Sequence, residues 1–148
     1  MIEENRLKHI LGVARQVRRL ALKLRPKDNM FSQDMFVVGF LHDFGYEFDE
    51  DKRPHALIAG EILKRLNFKY CEAVENHGNV NVDMMSDELF LLNCADMTVK
   101  GDGTLVTTDE RLADIGSRYG KESAIYQKAV LEIDILKTDP RFAVLGIK

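Results

Sequence analysis

Val38-Gly39-Phe40-Leu41-His42-Asp43-Phe44-Gly45 is the stretch on which the reading of this chain turns, because an apolar run delivers an imidazole and a carboxylate side by side. Taking such groups out of water costs free energy unless hydrogen bonds, an opposite charge or a metal replaces the lost hydration. Working outward, the other three histidines are His9, His55 and His77, and a second carboxylate in apolar company is Asp96, within Leu91-Leu92-Asn93-Cys94-Ala95-Asp96-Met97. Imidazoles mixed with carboxylates suit iron, manganese, zinc, cobalt or nickel, whereas magnesium or calcium would draw mostly oxygen ligands. Six donors are too many for one catalytic ion that must keep positions open, and they suit two ions sharing a bridging carboxylate.

The surrounding periodicity is helical. Leu7, Ile10, Leu11, Ala14, Val17, Leu20, Ala21 and Leu24 predict a first helix that stops near Arg25-Pro26, with His9 on the shoulder of its buried stripe. Ser32 is expected to cap a second helix, apolar on nearly all sides and therefore central, that ends on His42 and Asp43. Adjacent helical residues point about 100° apart, so both side chains reach one metal only at a bend, and Gly45 offers that freedom. Residues 47–53 read as an acidic surface loop, Pro54 opens a third helix with His55 in its first turn, and a short fourth helix over 70–76 runs into His77 and a left-handed Gly78. Ser86 and the acidic pair Asp87-Glu88 start a fifth helix carrying Asp96.

Gly101-Asp102-Gly103 predicts a compact turn and a minor β-hairpin near residues 98–106; Asp102 lacks the further oxygen ligands of a calcium loop. Thr107 and Glu110 have capping-box spacing for a sixth helix ending at Tyr119-Gly120, and a seventh is expected over about 122–137. The expectation is an all-α fold, a single domain over 1–148, with a motif-bearing core over about 6–100 and C-terminal helices over about 108–137.

With 45% hydrophobic and 30% charged residues, the chain reads as a soluble globular protein, and a net charge of -3 argues against general nucleic-acid binding despite a basic first helix. Cys71 and Cys94 lack CxxC spacing and read as reduced core thiols, which with an acidic, unsignal-like start predicts a cytoplasmic protein. No apolar run is long enough to span a bilayer. Met30, Met35, Met84, Met85 and Met97 are expected in the core or as gap fillers.

The order His9, His42-Asp43, Asp96 resembles the HD-domain superfamily of metal-dependent phosphohydrolases over residues 6–100. Arg6-Leu7-Lys8-His9-Ile10-Leu11-Gly12-Val13-Ala14 resembles its opening helix, and the stretch around His42 its HD helix. His55-Ala56-Leu57-Ile58-Ala59-Gly60 and Glu75-Asn76-His77-Gly78 resemble the binuclear branch, similar to the small bacterial hydrolases of diadenosine tetraphosphate. Where members commonly carry a lysine shortly after the HD pair, this chain has Tyr46-Glu47, and the glycine-tyrosine-proline signature of the cyclic-dinucleotide phosphodiesterases is absent.

The resemblance implies a hydrolase of nucleotides or dinucleoside polyphosphates working through a metal-activated hydroxide. It implies one ion on His9, His42, Asp43 and Asp96 and another on Asp43, His55 and His77, with Asp43 bridging and catalytic. Two divalent transition metals are expected, iron or manganese first. Arg111, Arg118 and Lys121 are candidate collectors of substrate phosphate. The expected partner is a phosphorylated small molecule, with a homodimer left open and no membrane or nucleic acid. The alternatives are a di-iron oxygenase of the same superfamily and a non-catalytic, metal-stabilised nucleotide-binding module.

Overall fold

A computed structural model describes residues 3–47 and 53–148 and, among these, eight α-helices. Helix α1 spans Glu4–Leu24 and buries Ile10, Val13, Ala14, Val17, Leu20 and Ala21, one stripe at i+3 and i+4 spacing. It ends where the Arg25 amide donates to the Ala21 carbonyl, ahead of Pro26. Helix α2, Asn29–Leu41, starts earlier than Ser32. Its cap is Asp28, which accepts from the Phe31 amide at 3.0 Å, while the buried Ser32 hydroxyl donates to the Asn29 carbonyl inside the first turn.

Helices α1 and α2 form the most extensive helix pair. They approach closely at Gly39, where a Cβ would come within 2.7 Å of Ala14 Cα. Helix α2 is nevertheless not the buried centre, because Val37 and Phe40 face solvent. That place belongs to α5, Asp87–Asp96, capped by Ser86 and buried from Leu89 through Ala95. The fully enclosed side chains of Phe90, Leu91 and Leu92 contribute about 1.5–3 kcal/mol each. An apolar helix buried all round at the middle lets the others pack on every side of it.

Helix α3, His55–Arg65, and α4, Cys71–Asn76, pack as a pair, with Gly60 against Glu75. Helix α6, Thr108–Tyr119, opens with the expected reciprocal capping box of Thr107 and Glu110. It is followed by α7, Ala124–Thr138, and by α8, Pro140–Leu145, which the sequence reading did not anticipate. The α8 stretch has a legible start, since Asp139 caps it and Pro140 sits at its first position, but six residues carry too little periodicity to register. Lys23 Nζ on α1 donates to the Leu145 carbonyl at 2.9 Å and ties α8 back to the first helix.

The fold is all-α as expected. Residues 98–106 form the hairpin in minimal form, one antiparallel bridge between Val99 and Leu105, and no strand is present among the described residues. The turn lies on α1, for a Cβ on Gly12 would meet the Gly103 carbonyl at 2.7 Å. Cys94 is buried, Cys71 is partly so, and neither forms a disulfide. Met35 and Met97 join the core, whereas Met30 and Met84 are exposed rather than filling gaps. No helix of the described residues is long and apolar enough to cross a membrane. The acidic loop expected over 47–53 falls on residues 48–52, which lie outside the described residues.

Candidate metal centre

Five helix ends converge at one end of the bundle. His9 lies in the second turn of α1, His42 and Asp43 follow the last residue of α2, His55 begins α3, His77 caps the end of α4 and Asp96 closes α5. The bend required for His42 and Asp43 to act together is there: α2 stops at Leu41 and a 3-10 turn begins at Phe44. Gly45 serves it by close approach and not by a left-handed backbone. A Cβ there would lie 2.1 Å from the His55 carbonyl oxygen, so only glycine lets the turn reach the start of α3.

Asp43 stands in the middle, with its two carboxylate oxygens turned to different histidines. Oδ2 lies 3.3 Å from His42 Nε2 and 3.8 Å from His9 Nε2, while Oδ1 lies 3.0 Å from His55 Nε2 and 3.5 Å from His77 Nε2. Asp96 Oδ1 adds to the first group, 2.9 Å from His9 Nε2 and 3.7 Å from His42 Nε2. All six residues named from the sequence are therefore brought together. The trios His9, His42, Asp43 and Asp43, His55, His77 each offer ligand atoms within 4.8 Å of one another and could hold a metal ion.

The donor chemistry fits a cation. Nδ1 of His9, His42 and His77 lies 2.9, 2.6 and 2.5 Å from the carbonyls of Lys100, Gly39 and Val74. A carbonyl only accepts, so each Nδ1 carries a proton and Nε2 is the atom each ring turns to the cluster. There His9 meets a carboxylate oxygen of Asp96, 2.9 Å away, and His77 meets the Nε2 of His55, 3.3 Å away. His42 Nε2 is enclosed with no hydrogen-bond partner, the Asp43 oxygen being near it but not aligned with it. With the Nδ1 proton of His9 used on Lys100, its Nε2 and the Asp96 oxygen require a proton or a metal between them.

The same demand governs the acidities. Burial opposes charge on His42, Asp43 and Asp96 and is the largest influence on each, yet their mutual attraction outweighs it. The His42 imidazole is held well above its ordinary value; His42, His55 and His77 hold Asp43, and His42 and His9 hold Asp96, well below the usual carboxylate range. Glu132, inward-facing on α7, goes the other way: burial, then the Asp96 charge, pushes its carboxyl up to about 8. Both causes disfavour a further negative charge there.

Among the three basic residues singled out from the sequence, Arg111 touches the cluster from behind. Its Nε donates to the Asp96 carbonyl at 3.1 Å and its Nη1 to Asp114 at 3.1 Å, with Nη2 3.9 Å from Asp96 Oδ1. Arg118 is half-exposed beside Asp114 and Gly101, and Lys121 is exposed after α6; neither contacts the cluster among the described residues. Other supports had no clear signal in the sequence. The Lys100 carbonyl that orients His9 comes from the hairpin turn, and the enclosed Asn93 accepts from the Gly78 amide at 2.9 Å, holding the backbone beside His77. Asn93, one turn before Asp96 within an apolar run, is the one support whose polarity could have drawn notice.

Fold and site together define an all-α domain whose buried histidine and aspartate cluster could hold metal. The chain belongs to the HD domain family, whose match covers residues 6–136 and so continues past the six-residue cluster through most of α7. Comparison with curated proteins and with solved structures gave no match.

Proposed function

We propose that the protein is a binuclear metal-dependent phosphohydrolase acting on a nucleotide or a dinucleoside polyphosphate. The observation that carries the reading is the orientation of Asp43, one oxygen toward His9 and His42 and the other toward His55 and His77, as a carboxylate shared by two ions requires. His9, His42, Asp43 and Asp96 would hold one ion and Asp43, His55 and His77 the other. When bound, two divalent transition metals, iron or manganese first, supply activation of water and neutralisation of phosphoryl oxygens. The backbone carbonyls of Lys100, Gly39 and Val74 fix the protons on Nδ1, so each ring arrives with Nε2 ready to coordinate. Two carboxylates offset only half the charge of two divalent ions, leaving a positive pocket that favours a polyanionic substrate.

The resemblance to the small dinucleotide hydrolases orders the substrates: diadenosine tetraphosphate, cleaved to two diphosphates, ahead of simple nucleotides. Metal analysis of protein purified without chelator, followed by chromatographic product analysis over a panel of nucleotides and dinucleotides, tests this. About two ions per chain are expected, with two nucleoside diphosphates from the dinucleotide and no intact substrate left. At most one ion, even after anaerobic reconstitution with iron or manganese, removes the binuclear reading. Faster hydrolysis of monophosphates removes only the dinucleotide preference. Oxygen consumption without any hydrolysis product would assign the site to an oxygenase, and saturable binding of intact nucleotide to a binding module.

A further inference from the structure

Arg6 lies on α1 one turn before His9, on the same helical face, and its side chain is about one-third exposed at the edge of the cluster. Its guanidinium stacks over the Tyr46 ring, 3.5 Å from the centroid. On the same ring lies the imidazole of His55, with centroids 4.0 Å apart and planes within 20° of parallel. Tyr46 is thus the middle layer of a three-part stack that joins a candidate ligand to an arginine. Arg6 Nη1 lies 3.7 Å from Asp43 Oδ2, too far for a hydrogen bond, and the guanidinium makes none among the described residues.

A planar cation is thus held in place by stacking while its hydrogen-bond donors remain unused. It borders Asp43 Oδ2, the oxygen turned toward His9 and His42. A guanidinium beside metal cations is repelled unless an anion lies between them, and its fork of N–H groups matches phosphate oxygens. Arg111, by comparison, is spent on Asp96 and Asp114.

We propose that Arg6 is the residue that binds the substrate phosphate at the mouth of the centre, and that Tyr46 is its positioning residue, stacking both Arg6 and His55. This assignment rests on the phosphohydrolase reading and names the cation by which that site takes its anion. Tyr46 then has a use where related chains commonly carry a lysine: in place of an ammonium on a flexible stem, the chain supplies a guanidinium from α1 on an aromatic platform.

The test is titration of manganese-loaded protein with inorganic phosphate by calorimetry, with metal content measured on each sample, for the natural chain and for Arg6→Gln, Tyr46→Phe and Tyr46→Leu. Arg6→Gln is expected to keep its metal and to bind phosphate roughly ten- to a hundredfold more weakly. Tyr46→Phe keeps the ring and should match the natural chain, whereas Tyr46→Leu should weaken phosphate binding with metal retained. Phosphate affinity unchanged in Arg6→Gln overturns the assignment, as does a parallel loss of metal, which would make Arg6 a support for Asp43. Equal weakening in Tyr46→Phe and Tyr46→Leu overturns the stacking role. If the natural, metal-loaded protein binds no phosphate at all, the phosphohydrolase reading itself falls.

Discussion

Asp43 shows how one side chain can set the behaviour of a whole site. Its oxygens are divided between two histidine pairs, so its removal should disturb both candidate ions, whereas loss of His55 should disturb one. Loss of a residue that merely supports a ligand typically costs 10–100-fold in metal affinity or activity, so Asp43→Ala should lower turnover by more than roughly a hundredfold and empty both positions. His55→Ala should retain about one ion per chain and a smaller residual rate. Equal and mild effects in folded variants would refute the shared-carboxylate arrangement. The adjacency of His42 and Asp43 in an apolar run made them legible in the sequence, because polar groups there need a reason. Tyr46 stood out only as a departure from the family's lysine and Arg6 not at all: an arginine near the start of a basic helix looks like solvated surface, and the stack with His55 joins positions 6, 46 and 55 only after folding.

At the scale of elements, helices α1 to α7 followed from periodicity, but α8, the Asp28 cap of α2 and the ranks of the helices did not. Helix α2 reads as the apolar centre and is not, since nothing in its composition distinguishes a helix buried all round from one that leaves Val37 and Phe40 in solvent. The reverse holds for residues 98–106, which read as a minor hairpin and turn out to orient His9 through the Lys100 carbonyl. The fit of that turn to α1 is close. Gly12→Ala would push a Cβ against the Gly103 carbonyl and Val99, backbone and branched side chain that cannot swing aside. The expected cost is about 1–3 kcal/mol of stability, with displacement of the turn and loss of metal affinity at His9. Thermal melts and metal titration of Gly12→Ala check both, and a variant with unchanged melting and unchanged affinity would show that the turn is free to move.

For the whole molecule, the six clustered residues enter from chain positions as far apart as 9 and 96, on helices that otherwise meet through the apolar core around Phe90, Leu91 and Leu92. Bound metal should therefore stabilise the fold and not merely the site. At a hundredfold excess over its dissociation constant, one ion contributes about 2.7 kcal/mol, which for a chain of this size shifts the melting temperature by roughly 5–10 °C. Melting curves before and after chelation, with manganese added back, measure the shift; none at all would mean that no ion is held by the folded state in preference to the unfolded one.

The placement of every one of these groups at or near a helix terminus has a topological consequence. A metal joining His9 to Asp96 would close a loop of most of the chain, much as a disulfide does, and a second joining Asp43, His55 and His77 would close a smaller loop that shares only the Asp43 side chain with the first site. Metal binding would then act as a reversible crosslink that ties the chain at Asp43, opposite the tie that Lys23 makes to the Leu145 carbonyl.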